Sequence, residues 1–210
     1  MYSKYLKRML DILFSFIALV VLSPLMMLLA ALIRIAIGAP VIFVQERPGK
    51  NERIFKLHKF RTMTNETDAT GRLLPDSDRL TSLGRILRKT SLDELPELWD
   101  ILLGNMSFIG PRPLLISYLP YYTVDERMRH NVRPGLTGLA QVKGRNGLSW
   151  DERLKEDARY VQSITFGRDF RIFWSTVFMM LRIGSGVSDD TSKTEGNFAK
   201  IRQMQAVSKE

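Results

Sequence analysis

The chain has no cysteine and only two histidines. The first absence excludes disulfides, thiolate zinc sites and cysteine nucleophiles, and it fits a reducing compartment. The second leaves little for histidine chemistry, because neither His58 nor His130 has a serine–acid or metal-ligand pattern around it. A phosphate-cradling P-loop and a dinucleotide fingerprint are also missing, as are internal repeats and low-complexity linkers. At 210 residues the chain can build one real core but not two ordinary domains. Its charge is lopsided. Lysine and arginine outnumber the acids 31 to 22, for a formal net charge of +9. Such a surface favours anionic partners: nucleic acid, phospholipid headgroups or phosphorylated small molecules.

Charge is entirely absent from residues 12–33, a run bracketed by Asp11 and Arg34. As a straight helix it would extend roughly 33 Å, enough for a bilayer core. A cleaved leader suits the basic start (Lys4, Lys7, Arg8), but no small-x-small cleavage site follows and the run is long for an h-region. Two features argue against a simple transmembrane helix. Ser23-Pro24 sits at its centre, where proline removes a donor and kinks the helix. Both flanks are basic, Lys4 to Arg8 before and Arg47 to Arg61 after, so the positive-inside bias puts both ends on the cytoplasmic side. A re-entrant helix-break-helix satisfies both observations, with the Ser23 hydroxyl partly serving the carbonyls freed near the proline.

The rest reads as one mixed α/β domain, mainly α. A strand over residues 41–44 pairs with another over 54–60 across a Pro48-Gly49 turn. Residues 65–78 read as a surface loop, and helices are expected at 79–89, 93–103, 114–121, 150–162 and 166–183. The stretch from Phe166 to Leu181 has aromatics at 3.6-residue spacing among arginines, which suits either a core-packed or an interfacial helix. Leu80, Leu83, Ile86 and Leu87, among Arg79, Arg85, Arg88 and Lys89, have the same character. The boundaries are 1–38 for the membrane helix, 39–184 for a compact cytoplasmic catalytic domain and 185–210 for a polar, loosely held tail.

Ser91-Leu92-Asp93-Glu94 is the centre of chemical interest. Ser91 with Glu94 three residues on is a capping-box pattern, so a plain helix start is one reading. The other is a phosphate site: backbone donors at a helix start, a carboxylate able to attack phosphorus, and a neighbour to share a divalent cation. Loop cations would hold the phosphates. Arg112 stands between Pro111 and Pro113, Arg133 and Arg145 sit beside turn residues, and Lys59 and Arg61 follow a strand. Taken singly, each is an ordinary surface charge; as a group in constrained loops they point to phosphate. From pattern alone Asp157 is a surface acid. Nucleic-acid binding finds no motif here and leaves the apolar segment unexplained.

With these motifs in order, the chain resembles the bacterial sugar transferases, the small monotopic phosphoglycosyl transferases, and among them the campylobacter-type enzymes that begin N-glycan assembly. The resemblance rests on Arg8, Asp11, Ser23-Pro24, Val41-Ile42-Phe43, Arg47-Pro48-Gly49, Phe55-Lys56, Lys59-Phe60-Arg61-Thr62-Met63 and Ser91 to Leu95. It continues through Gly110-Pro111-Arg112-Pro113, Arg133 to Gly138 and Gly144-Arg145-Asn146, nearly the whole chain. It implies a ping-pong transfer of a sugar-1-phosphate from a UDP-sugar to undecaprenyl phosphate. Asp93 is then the nucleophile and a Mg2+ ligand, and Glu94 its partner. Lys59, Arg88, Arg112 and Arg145 handle phosphates, and Asp157 lies near the nucleotide or metal. Ser23 and Pro24 form the re-entrant break of a monotopic anchor at the cytoplasmic face of the bacterial inner membrane. Phospholipids and downstream glycosyltransferases are the further partners, and the oligomeric state is left open. The tail around Ser185, Thr194 and Asn197 resembles bacillosamine-using members, which makes UDP-N,N'-diacetylbacillosamine the first expectation. UDP-GalNAc, UDP-GlcNAc and UDP-galactose stay open. Glu97 and Asp100 depart from the glutamine and asparagine the family often has there, and Asn105 stands where an aspartate is usual, so it is given no metal role.

Overall fold

A computed structural model of the chain describes residues 2–144, 147–181 and 198–207. After a short π-helical turn at Tyr2–Leu6, one helix, α1, runs from Lys7–Ala36 with Pro24 inside it. The expected break is therefore not an interruption of the helix: a single long apolar helix is present, and no second one of that kind occurs among the described residues. The cost of the proline is local. Its missing N–H leaves the Val20 carbonyl without its helical donor, and the Ser23 hydroxyl donates to that oxygen at 2.8 Å.

Most of α1 is exposed apolar surface, but its inner stripe packs on the domain from end to end. At the start, Arg8 donates to the carbonyls of Ile101 and Leu102 at 2.6 and 2.8 Å. One turn later Asp11 accepts from the Ser107 hydroxyl and the Phe108 amide, each at 3.1 Å. Lys7 and Tyr2 both reach Asp169 Oδ2, at 2.6 and 2.7 Å. In the middle, Ala18, Leu19 and Leu22 rest on a cluster of Leu57, Leu98, Ile101 and Met106. At the far end the buried Leu29 and Ile33 join Phe60 and Leu87. Burying such a side chain stabilises the fold by about 1.5–3 kcal/mol, so the helix is part of the core and not a detachable anchor.

The expected hairpin is present: β1 (Ile42–Pro48) pairs antiparallel with β2 (Ile54–Phe60), with Ile42 opposite Phe60. The loop after it holds a single helical turn at Asp76–Arg79. Helix α2 (Ser82–Thr90) follows, capped by Thr81, whose hydroxyl accepts from the Gly84 amide. Gly84 lets α2 lie directly on β2's continuation: a Cβ there would fall 1.9 Å from the Thr62 carbonyl oxygen. Beyond a 3-10 turn at Leu92–Glu94 comes α3 (Glu97–Leu103).

Two three-residue strands were not expected. β3 (Ser107–Ile109) and β4 (Gly135–Thr137) pair in parallel and join the two proline- and glycine-rich loops. Here glycine is needed for close approach, because a Cβ on Gly135 would meet the Gly110 amide nitrogen at 2.1 Å. The region expected as a helix at 114–121 is a 3-10 segment at Ile116–Tyr121.

The helical half closes with α4 (Leu139–Gly144), α5 (Trp150–Gln162), α6 (Phe166–Leu181) and α7 (Phe198–Val207). α5 starts with a full capping box between Ser149 and Glu152. α6 buries Asp169 and Ile172 and leaves Phe166, Phe170, Phe173, Trp174 and Phe178 exposed, so its aromatic stripe is not a core face. Phe198 lies inside the span read as a loose tail, yet it is fully buried against Tyr118, Tyr122, Trp150 and Leu154. The aromatic side chains there meet at centroid distances of 4.9 to 5.6 Å. The architecture is mixed α/β and mainly helical, with two small two-stranded sheets among the described residues.

Candidate active site

Three elements converge on the 3-10 turn. Ser91 has φ 57°, ψ 19° and closes α2, its amide reaching the carbonyls of Leu87 and Arg88. That left-handed residue reverses the chain, so the expected capping box does not form: Ser91 makes no side-chain cap and Glu94 points elsewhere. Asp93 sits in the turn, almost buried. Pro96 opens α3, whose inner face carries Glu97 and Asp100 beside Leu98 and Ile101. β2 lies across this face and supplies Lys59. The Pro111-Arg112-Pro113 loop, held by the β3–β4 pair, supplies Arg112.

Glu94 is locked. Its Oε1 accepts from Lys59 Nζ at 2.7 Å and from Arg112 at 2.9 Å. Burial alone would raise its pKa, but the two cations outweigh it and hold the carboxyl down at about 2. Lys59 also lies 3.2 Å from Glu97 Oε1. Glu97 is buried, and that burial, aided by the charge of Glu94 and opposed by Lys59, pushes it up to about 7. The Lys59 ammonium is held above its ordinary value despite burial, because Glu94, Glu97 and Asp93 surround it.

Asp93 differs from both neighbours. No hydrogen bond reaches its carboxylate among the described residues. Burial first, and Glu94 second, raise its pKa; Lys59, Arg88 and Arg112 work against them. A desolvated carboxylate without hydrogen-bond donors is a better nucleophile than one in water, and the same cations would meet an incoming phosphate. Arg88 is placed by α2, with Nε 3.1 Å from Thr62 Oγ1.

Other expected residues fall into place differently. Asp157 is no surface acid: buried on α5, it accepts from Arg129 Nη2 at 2.9 Å. Arg129 in turn donates to the Arg112 carbonyl at 2.6 Å, so Asp157 reaches the site through Arg129 and the Arg112 backbone. Arg61 spends its guanidinium on the carbonyls of Met63 and Ala39, and Arg133 binds the Gly104 carbonyl; both brace the backbone. Arg145 lies outside the described residues. Sequence reasoning missed Arg129, which sits in an unremarkable polar run. It noted Glu97 and Asp100 only as departures. Asp100 accepts from the His58 amide at 3.0 Å and contacts its Nδ1 at 2.8 Å, fastening β2 to α3 beside Lys59.

The donor set also bears on magnesium. Among the described residues no group of three acidic, histidine or cysteine side chains could hold a metal. Mg2+ commonly takes only one or two carboxylates and completes its shell with phosphate and water, and Asp93 is a carboxylate that no described donor occupies.

An acid pair, Asp93 buried and Glu94 partly so, among Lys59, Arg88 and Arg112 in a domain built around a long apolar helix fits a membrane-associated enzyme. Residues 2–183 match the family Bacterial sugar transferase, and the chain belongs to that family and is a transferase. It is 44% identical over 193 residues to "Uncharacterized sugar transferase EpsL" of Bacillus subtilis (strain 168), covering 92% of this chain and 95% of that one. With "Exopolysaccharide production protein ExoY" of Sinorhizobium fredii it shares 38% over 188 residues, 81% of this chain and 83% of the other. A third relative is the "Undecaprenyl-phosphate galactose phosphotransferase" of Salmonella typhimurium, 36% identical over 197 residues; the match covers 86% of this chain but 41% of that protein.

Proposed function

We propose that this chain transfers a sugar-1-phosphate from a UDP-sugar to undecaprenyl phosphate in two steps through Asp93. The observation that carries the reading is the contrast within the dyad: Glu94 is neutralised by Lys59 and Arg112, while Asp93 is desolvated and free of hydrogen bonds among the described residues. In the first step an Asp93 oxygen bonds to the β-phosphorus and the bond to the bridging oxygen breaks. UMP leaves with the electron pair. In the second, an oxygen of the lipid phosphate attacks the same phosphorus and Asp93 is released. Lys59, Arg88 and Arg112 bind the phosphate oxygens and stabilise the charge that builds on them; Arg145 is assigned to the same task. Asp93 would also ligate Mg2+, which supplies neutralisation of the diphosphate when bound.

Two relatives named for undecaprenyl phosphate support this acceptor, one a galactose phosphotransferase and one a glucose-1-phosphate transferase. They favour a UDP-hexose such as UDP-galactose over UDP-N,N'-diacetylbacillosamine, with UDP-GalNAc and UDP-GlcNAc as alternatives. Of the tail residues on which the bacillosamine expectation rested, 185–197 lie outside the described residues, and Phe198 packs into the core.

The anchor is read as re-entrant and monotopic, on the cytoplasmic face. Both ends of α1 are fastened to one domain, Arg8 and Asp11 at one end and Leu29 and Ile33 at the other. A membrane-crossing helix would carry those ends to opposite sides.

The deciding experiment incubates the pure enzyme with UDP-sugars and Mg2+ without lipid. One equivalent of UMP per enzyme and a phosphosugar adduct on the peptide holding Asp93 are expected. Full transfer by Asp93→Asn would overturn the assignment, and undiminished UMP release in EDTA would remove magnesium from it.

A further inference from the structure

Lys59 is shared. Its ammonium lies 2.7 Å from Glu94 Oε1 and 3.2 Å from Glu97 Oε1, and Glu97 is 2% exposed. The groups that face Glu97 are Lys59 from β2, Glu94 from the 3-10 turn and Arg112 from the proline loop. With all acids ionised, Asp93, Glu94 and Glu97 cancel Lys59, Arg88 and Arg112. From these six described side chains an entering phosphate would meet no net positive charge, and it would add its own repulsion toward the three carboxylates. Glu94 cannot relieve this, because two short ion pairs hold it ionised. Among the described residues Glu97 has only the longer contact to Lys59, and it can lose its charge without leaving Lys59 unpaired.

We propose that Glu97 is the proton-carrying positioning residue of the phosphate site: its carboxylate takes one proton from solvent when a phosphate anion binds and returns it when that anion leaves. Protonation releases Lys59 from one of its two acids and leaves the cluster one unit positive, matched to the arriving ligand. Burial has already pushed its pKa up to about 7, so an added negative charge nearby completes the uptake near neutral pH. The inference rests on the reading that Lys59 and Arg112 bind phosphate oxygens.

The test is calorimetry of UMP, and separately of inorganic phosphate, binding to the full-length enzyme in detergent with Mg2+. Titrations at pH 7.5 in two buffers of different ionisation enthalpy give the proton count. Wild type should take up about half a proton or more per ligand. Glu97→Gln should take up none, and Asp93→Asn should keep the uptake. The protonated-carboxyl infrared band that grows on ligand addition to wild type should be missing from Glu97→Gln. In kcat/KM against pH, the fall between pH 7 and 8.5, about tenfold per unit at its steepest, should flatten in Glu97→Gln. Equal uptake in wild type and Glu97→Gln, or none in wild type, overturns the proposal. A wild-type enzyme that binds UMP with uptake but releases no UMP from any UDP-sugar would sink the transferase mechanism and leave Glu97 standing. If Glu97→Gln does not fold, the infrared band in Glu97→Asp, shifted in frequency, decides the same point.

Discussion

Arg129 donates a 2.6 Å hydrogen bond to the carbonyl oxygen of Arg112. Arg129 is buried and fully committed, to Asp157 through Nε and Nη2 and to the Tyr122 hydroxyl through Nη1. The Pro111-Arg112-Pro113 backbone is thus set by a residue that never meets Glu94 itself.

Breaking that arrangement from behind has a defined outcome. Asp157→Ala leaves a buried guanidinium unpaired and should cost about 3–5 kcal/mol in urea unfolding. The double change Arg129→Met with Asp157→Leu removes both charges and should recover much of that stability. Activity should nevertheless be low in the double variant, because there the Arg112 carbonyl loses its donor. Recovery of kcat/KM in the double variant would show that Arg129 does not position Arg112.

The dyad predicts a direction in the pH profile. The charge of Glu94 helps to raise Asp93, so Glu94→Gln should lower the pKa of Asp93 and move the acid limb of single-turnover UMP release to lower pH. An acid limb that stays in place would contradict the electrostatic link between the two carboxyls.

Lys59→Met should be severe for a different reason. It removes the cation that the proposed mechanism sets on the phosphate, and it leaves Glu97 without its ion-pair partner and Glu94 with Arg112 alone. The loss in kcat/KM should be about 100-fold or more, the scale seen when one preorganised charge is removed from a developing anion. Lys59→Arg should restore only part of it, since a planar fork does not reproduce a point charge between two acids.

Glu97 makes stability depend on pH. Its folded pKa is raised to about 7 above an unfolded value near 4.3, so its contribution is fully present below the unfolded value and is lost as pH rises through the folded one. Glu97→Gln should therefore match wild type near pH 4 and gain on it between pH 4.5 and 7. Above that the advantage should level off, on the order of 1–3 kcal/mol. Melting temperatures across this range check the slope, and a constant offset at every pH would contradict it.

The topology is open to labelling. The chain contains no cysteine, so single reporters are clean. Ser3→Cys and Lys50→Cys should react with an impermeant maleimide from the same side of sealed vesicles. Labelling from opposite sides would restore a membrane-crossing helix.

By itself the sequence determined the elements whose signal is local. The uncharged run 12–33 with Ser23-Pro24, the hairpin of β1 and β2, and α5 between Ser149 and Gln162 were readable from hydrophobic period and capping residues. So were the adjacency of Asp93 and Glu94 ahead of a helix and the placing of Arg112 between two prolines. The β3–β4 pair was not, because three residues are too few to show an alternating pattern and their partners lie 28 positions apart. Nor was the fate of Ser91 and Glu94, where a good capping sequence lost to tertiary ion pairs with Lys59 and Arg112. Asp157 and Phe198 looked like surface and tail, because burial of a charged or terminal residue depends on partners elsewhere in the chain. Only the assembled fold decided which acid is neutralised, which is left desolvated and which shares Lys59, since a carboxyl's charge is set by neighbours within a few ångströms and not by its place in the sequence.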